Sequence, residues 1–195
     1  MAFMRSISKP DTVPVITGKR VYLRGPQWGD YREWADLRSR SRAFLTPWEP
    51  TWGADDLTRH AFRRRLRRYM NEVREDQAYP FFIFREEDDA LVGGCTISGV
   101  QRGVQQVASL GYWAGLPYAG QGYVSAAVRA VIPYVFEDLG LHRLQAACLP
   151  GNERSKSVLL RCGFHAEGHA RGYLRIAGVW ADHLLFAILR DDPRP

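Results

Sequence analysis

The stretch Leu110-Gly111-Tyr112-Trp113-Ala114-Gly115-Leu116-Pro117-Tyr118-Ala119-Gly120-Gln121-Gly122-Tyr123 carries the chain out of a strand, through a glycine loop and into a helix. The helix announces itself by periodicity. Val124, Ala127, Val128, Val131, Ile132, Val135, Phe136 and Leu139 recur at the i, i+3, i+4, i+7 spacing of one apolar face. Pro133 predicts a kink, because it lacks an N–H and its ring crowds the preceding turn. Gly140 is placed to end the helix as the residue just past its last turn. A glycine loop that opens such a helix is an anion site in the making. Glycines let the backbone approach closely, free N–H groups point at the ligand, and the helix dipole adds partial positive charge. A dinucleotide fingerprint would need a third glycine where Ser125 stands, and a phosphate-binding P-loop would need Gly-Lys-Ser/Thr; neither is present.

Outward from this stretch the chain alternates between strands and helices. Val21–Arg24 predicts a first strand, and Asp30 is placed to cap a helix carrying Trp34 and Leu37. Thr46-Pro47-Trp48-Glu49-Pro50 cannot be helix interior. Asp55 or Asp56 is expected to start an arginine-rich helix that runs to about Val73. Phe81–Phe84, Leu91–Ile97 and Gln105–Trp113 follow as strands, with an acidic turn at Glu86-Glu87-Asp88-Asp89. After the long helix come a strand from His142 to Leu149, a turn at Pro150-Gly151-Asn152 and a helix ending at Cys162. The hairpin His165–Ile176 and Val179–Leu189 closes the chain. Seven strands and their helices predict a mixed, mostly antiparallel α/β sheet with helices on both faces. Residues 1–18 read as a loose arm, and 19–190 as a single domain.

The chain has 195 residues, a formal net charge of +6 and three cysteines, none in a C-x-x-C pair. An odd, scattered cysteine set argues against a disulfide framework and a zinc site, and points to a reducing compartment. No metal is expected. No run approaches the ~20 apolar residues of a membrane span, so a cytoplasmic protein without membrane contact is expected. The arginine run Arg59–Arg68 is either a solvated helix face or a surface for an acidic or RNA partner.

The order of strand, Pro117–Tyr123 loop, helix, strand, Asn152-x-x-Ser155 and Gly163-Phe164 resembles the GNAT acyltransferases. Phe44-Leu45-Thr46-Pro47-Trp48-Glu49-Pro50, Ser98–Val104, Asn152-Glu153-Arg154-Ser155 and Tyr173-Leu174-x-Ile176-x-Gly178-x-Trp180-x-Asp182-His183 are similar to the RimJ/RimL branch, which acetylates ribosomal-protein N-termini, and nearest to its RimJ members. The match runs from about Lys19 to Leu189. The resemblance implies a GNAT fold in which the fourth strand of the seven splays from the fifth, with acetyl-CoA as co-substrate in the gap. Gly111 would permit the close approach of the pantetheine arm, and main-chain groups of Leu110, Tyr112 and Trp113 would bind the arm and polarise the acetyl carbonyl. Those of Tyr118, Ala119, Gly120, Gln121, Gly122 and Tyr123 would take the pyrophosphate. Asn152 would bond the pantetheine amide, with Ser155 one turn on, near the sulfur.

The sequence departs from the family pattern at three places. Pro117 replaces a common Gln/Arg, Ala126 a common glutamate, and Leu159 falls where many members carry the tyrosine acid. The acid role therefore passes to Ser155, to water or to no residue. Candidate bases are Glu49, Glu167, Asp182 and His142. Of the ionisable groups, Glu49 and Asp182 join Ser155 as the catalytic set, although Asp182 also suits a structural role. Asp182 and His183, adjacent on a strand, face opposite sides. An α-amine, with a pKa of about 7.7–8.0, suits a site without a strong base better than lysine at about 10.4. The acceptor implied is a protein N-terminus, a ribosomal protein among the candidates. A small-molecule amine, or no turnover by a CoA-binding module, are the alternatives.

Overall fold

The computed structural model describes residues 12–194. Within them the strands are β1 (Ile16–Gly18), β2 (Val21–Arg24), β3 (Ala78–Arg85), β4 (Leu91–Gln101), β5 (Val107–Ala114), β6 (Arg143–Cys148), β7 (His165–Ile176) and β8 (Val179–Leu189). The helices are α1 (Tyr31–Arg40), α2 (Arg42–Leu45), α3 (Arg59–Arg74), α4 (Tyr123–Pro133) and α5 (Glu153–Arg161). All eight strands join one sheet in the order β1-β2-β3-β4-β5-β6-β8-β7. Only β5 and β6 run parallel; every other neighbouring pair is antiparallel.

The sheet separates two cores, and β3 shows how. Its residues are buried on both faces, so period-2 alternation sends Phe81 and Ile83 one way and Phe82 and Phe84 the other. The first pair packs with the apolar stripe of α4 and with Val158 and Leu159 of α5. The second packs with Trp34 and Leu37 of α1 and with Phe62 and Leu66 of α3. Each fully buried aromatic or aliphatic side chain contributes roughly 1.5–3 kcal/mol by leaving water.

The structure departs from the sequence expectations at three places and refines them at two more. An eighth strand appears because Ile16–Gly18, assigned to the arm, pairs with Leu23–Val21. Residues 12–15 of the arm form no helix or strand, and residues 1–11 lie outside the described residues. Asp30 makes no capping bond to α1: its carboxylate takes Arg24 at 2.7 and 2.9 Å and the Gln27 N–H at 2.7 Å, closing the turn before the helix. Thr58, not Asp55 or Asp56, caps α3, its Oγ1 accepting the Ala61 N–H at 3.2 Å. Asp55 instead pairs with Arg64, and Asp56 accepts the Gly53 N–H. Thr46–Trp48 forms a single 3₁₀ turn, a length the proline tolerates. Beyond Pro133 the helix widens into a π turn over Tyr134–Asp138, with the Leu139 N–H reaching the Tyr134 carbonyl at 2.9 Å.

Candidate active site

The parallel pair makes the site. β5 and β6 are hydrogen-bonded only from Val107 opposite Arg143 to Ser109 opposite Gln145. Beyond that point Leu110–Ala114 and Ala146–Cys148 continue with no ladder between them. Which β5 groups face this gap follows from the other edge. The Gly115 N–H donates to the Val92 carbonyl at 2.9 Å, and the register pairs Trp113 with Gly94 and Gly111 with Thr96. Directly opposed residues of an antiparallel ladder alternate between exchanging both bonds and exchanging none. Gly111 and Trp113 therefore bond to β4, and the main-chain groups of Leu110 and Tyr112 turn to the gap. Of the four expected contributors, two present backbone groups there; the other two present a missing side chain and an indole.

A cleft of about 620 Å³ opens along the gap, lined by residues from β5, the glycine loop, α5, the Pro-Trp-Glu-Pro segment and β7–β8. The glycine loop forms one end. Gly120 and Gly122 hold φ of 77° and 86°, a left-handed conformation that favours glycine. The N–H groups of Tyr118 and Ala119 are spent inside the turn, on the Gly115 and Leu116 carbonyls. The free donors begin at Gly120 and run through Gln121, Gly122 and Tyr123 into the first turn of α4, where the Ala126 N–H makes the first helical bond. The expected anion cradle is thus displaced two residues toward the helix. The Gln121 side chain folds back onto the Pro117 carbonyl at 2.7 Å, and the Tyr123 hydroxyl accepts from Arg20 at 3.0 Å. A row of unspent N–H groups beside left-handed glycines fits a pyrophosphate.

On the α5 side, Asn152 Oδ1 accepts the Ser155 N–H at 3.0 Å, capping the helix. Asn152 lines the cleft with its amide NH₂ uncommitted among the described residues. Ser155 Oγ lies 2.8 Å from the Tyr112 hydroxyl, whose pKa is pushed up chiefly by burial, opposed by its bond to Ser155. Leu159 is fully buried in the core and cannot serve the cleft.

The acidic candidates separate sharply. Both Glu49 oxygens are engaged: Arg38 holds them at 2.8 and 2.6 Å, and Trp52 Nε1 donates to Oε2 at 2.8 Å. The Arg38 guanidinium is itself stacked between the Trp52 and Trp113 rings, 4.1 and 4.8 Å from their centroids. The Glu49 carbonyl accepts the Ala177 N–H at the tip of the β7–β8 hairpin, so the segment is fastened across the cleft mouth. Glu49 lines the cleft as a fixed anion, engaged by three donors. Asp182 does not line it. Its oxygens take the Gly172 N–H at 2.8 Å and His169 Nε2 at 3.2 Å on the opposite face of β8, so it braces the hairpin. Glu167 is paired with Arg143, which holds its carboxyl below the usual range, and His142 bonds through its main chain outside the cleft.

Sequence reading passed over His183. It is 2% exposed yet lines the cleft. The signal was the strand alternation itself, which puts it on the face that Asp182 leaves.

The cysteines also differ. All three are buried and free. Burial pushes the Cys95 thiol up to about 12 and the Cys162 thiol up to about 11, whereas the rise at Cys148 is opposed by Ser155 and Lys156. Cys148 alone of the three lines the cleft. Only a thiolate is nucleophilic. Iodoacetamide at about pH 8 is therefore expected to label Cys148 first and leave Cys95 and Cys162 intact, as read by peptide mass mapping.

Among the described residues no His/Cys/Asp/Glu group could hold a metal ion, and no helix is long and apolar enough to cross a membrane. A family model described as an acetyltransferase (GNAT) domain matches residues 20–165. The probable N-acetyltransferase YjcK of Bacillus subtilis (strain 168) is 36% identical over 178 residues, covering 91% of this chain and 98% of that protein. The ribosomal protein uS5-alanine N-acetyltransferase of Escherichia coli (strain K12) is 32% identical over 180 residues, covering 92% and 93%. A solved structure of Mycobacterium smegmatis RimJ in complex with CoA-disulfide superposes with a TM-score of 0.84 at 33% identity, over 92% of this chain and 88% of that one.

Proposed function

This chain belongs to the GNAT acetyltransferase family and is an acetyl-CoA-dependent acetyltransferase; from that premise we propose that its acceptor is the N-terminal α-amine of a protein, a ribosomal protein first among them. The observation that carries this reading is the charge of the cleft wall. Among the described residues Glu49 is the only acid lining it and is already paired with Arg38, while Arg154, Arg161 and Arg175 line it as cations. A polyamine or a lysine arrives as a cation and would need acidic partners and a base able to take a proton from a pKa of about 10.4. An α-amine is already partly neutral near pH 7.7–8.0, a difference of about 2.5 units or about 3.5 kcal/mol. The uS5-alanine and RimJ relatives support a protein N-terminus as acceptor.

In this reading the free N–H groups from Gly120 through Tyr123 hold the pyrophosphate, and the Asn152 amide takes a pantetheine carbonyl. Acetyl-CoA supplies an activated acyl group and a good leaving thiol. The backbone N–H groups of Leu110 and Tyr112, the residues whose main chain faces the gap, lie where one of them can stabilise the charge that develops on the acyl oxygen. Ser155, hydrogen-bonded to Tyr112, stands at the thiol side as proton donor. Glu49 fixes the mouth of the cleft through Arg38 and Trp52. Asp182 acts on the hairpin that bears the acceptor wall. We place the reaction in the cytoplasm, and Arg63 and Arg67, exposed on α3, form a positive face that suits an acidic or RNA surface beside the substrate.

The test compares three acceptors at about pH 7.5 by thiol release. A lysine-free peptide with a free N-terminus is expected to react about 10²-fold faster than the same peptide Nα-blocked and given a lysine, following the gap in basicity. Spermidine is expected at background. Faster turnover of spermidine or of the blocked peptide would sink the α-amine reading.

A further inference from the structure

We propose that His183 is the general base of this site, taking the proton from the attacking amine through Nε2; the proposal rests on the reading of the cleft as an amine-acetylating centre. The hydrogen bonding fixes the tautomer. His183 Nδ1 lies 2.9 Å from the Ala181 carbonyl. A carbonyl can only accept, so Nδ1 carries the hydrogen and, in the neutral ring, Nε2 carries the lone pair. Nε2 makes no hydrogen bond among the described residues. Nor is it sealed in protein: Arg38 Nε is the only buried, sealed side-chain nitrogen or oxygen there without a partner. His183 is 2% exposed and lines the cleft, so what remains open of it opens into the cleft.

The ring also lies on the side where an amine would enter. Leu184, Phe186 and Ile188 of β8 point into the core under α4 and α5. Alternation sends His183 to the opposite face, the one α1 and α3 cover and toward which the Trp113 indole points. Tyr112 and Ser155 stand on the α5 side. Acid and base are thereby separated across the gap, with room for the thioester between them. The Tyr173 ring packs edge-on against His183 at 5.7 Å and fixes its plane.

The step balances without an added reagent. The amine lone pair forms the C–N bond, the C–S bond breaks, and its electron pair leaves on sulfur. The proton lost by nitrogen goes to His183 Nε2 and from there to solvent, while the leaving thiolate takes one from the Ser155–Tyr112 pair. Other titratable groups lining the same cleft are Glu49, Tyr112, Tyr118, Tyr123 and Cys148, with Arg154, Arg161 and Arg175 as its cations and Tyr173 against the ring itself.

The test uses the full chain and whichever amine the wild type acetylates fastest, so that a wrong acceptor class and a wrong base give different results. His183→Gln is expected to lower kcat about 10²-fold and to flatten the acidic limb of the kcat profile at saturating amine, where the titration of the free amine drops out, while CoA binding by calorimetry stays unchanged. Glu49→Gln should keep that limb. Imidazole added to His183→Ala should restore part of the rate. A His183→Gln enzyme with the wild-type limb, or one that loses CoA binding in step with turnover, would overturn the proposal; so would loss of the limb in Glu49→Gln.

Discussion

Gly111→Val is expected to give a normally folded protein that has lost about 10³-fold in turnover, the order seen when a preorganised donor site for a developing oxyanion is lost. A Cβ at Gly111 would meet no protein atom within 4 Å, and its φ lies outside the left-handed range. Valine also suits a strand better than glycine does. The Cβ itself therefore meets no obstacle in the free protein, and thermal melting should match the wild type. Gly111 nevertheless lines the cleft between Leu110 and Tyr112, whose backbone groups face the gap. A branched side chain there occupies the space that the acyl group and the amine must share. Displacing a reacting atom by about 1 Å already costs on the order of 10²-fold. Loss of turnover with an unchanged melting temperature is the signature; a fully active Gly111→Val enzyme would place the chemistry elsewhere.

Gly93→Val is expected to fail in the opposite way, leaving little folded protein in the soluble fraction. A Cβ at Gly93 would run into the carbonyl oxygen of Trp113, and one at the neighbouring Gly94 into the Trp113 indole nitrogen. Backbone cannot step aside here, because Gly93 is paired with Ile83 of β3 on one side and with Ala114 of β5 on the other. Overpacking of this kind costs about 3 kcal/mol or more, a large part of a net stability of about 5–15 kcal/mol. The damage also spreads toward the site, since Trp113 is one of the two rings that sandwich Arg38, and Arg38 holds Glu49. Gly29→Ala is the control, with nothing within 4 Å and no positive φ, and should melt like the wild type. Circular dichroism and soluble yield of the three proteins check the contrast.

What could be read from residues alone followed from local physics. The apolar stripe Val124 to Leu139 and the glycines before it located α4 and the left-handed turn that opens it, because periodicity and left-handed turns are written in single residues. What stayed hidden depended on partners distant in sequence. Ile16–Gly18 becomes a strand only because β2 offers an edge. Glu49 resembled a free carboxylate until the fold brought Arg38 and Trp52 to it. Asp182 and His183 differ by one residue, and alternation says that one faces the cleft without saying which. That choice is made by the packing of Leu184, Phe186 and Ile188 under α4 and α5. The free donors of the glycine loop began at Gly120 rather than Tyr118 because a 3₁₀ turn over Leu116–Tyr118 uses the first two, a detail no spacing rule contains.

The most direct test of the account is to incubate the protein with acetyl-CoA and purified ribosomal proteins bearing free N-termini, and to map each modified site by intact and peptide mass spectrometry. The account predicts a single acetyl group on the N-terminal residue of a particular ribosomal protein, absent without the enzyme. Acetyl groups confined to internal lysines, or ribosomal proteins left unmodified while a small amine is acetylated, would contradict it.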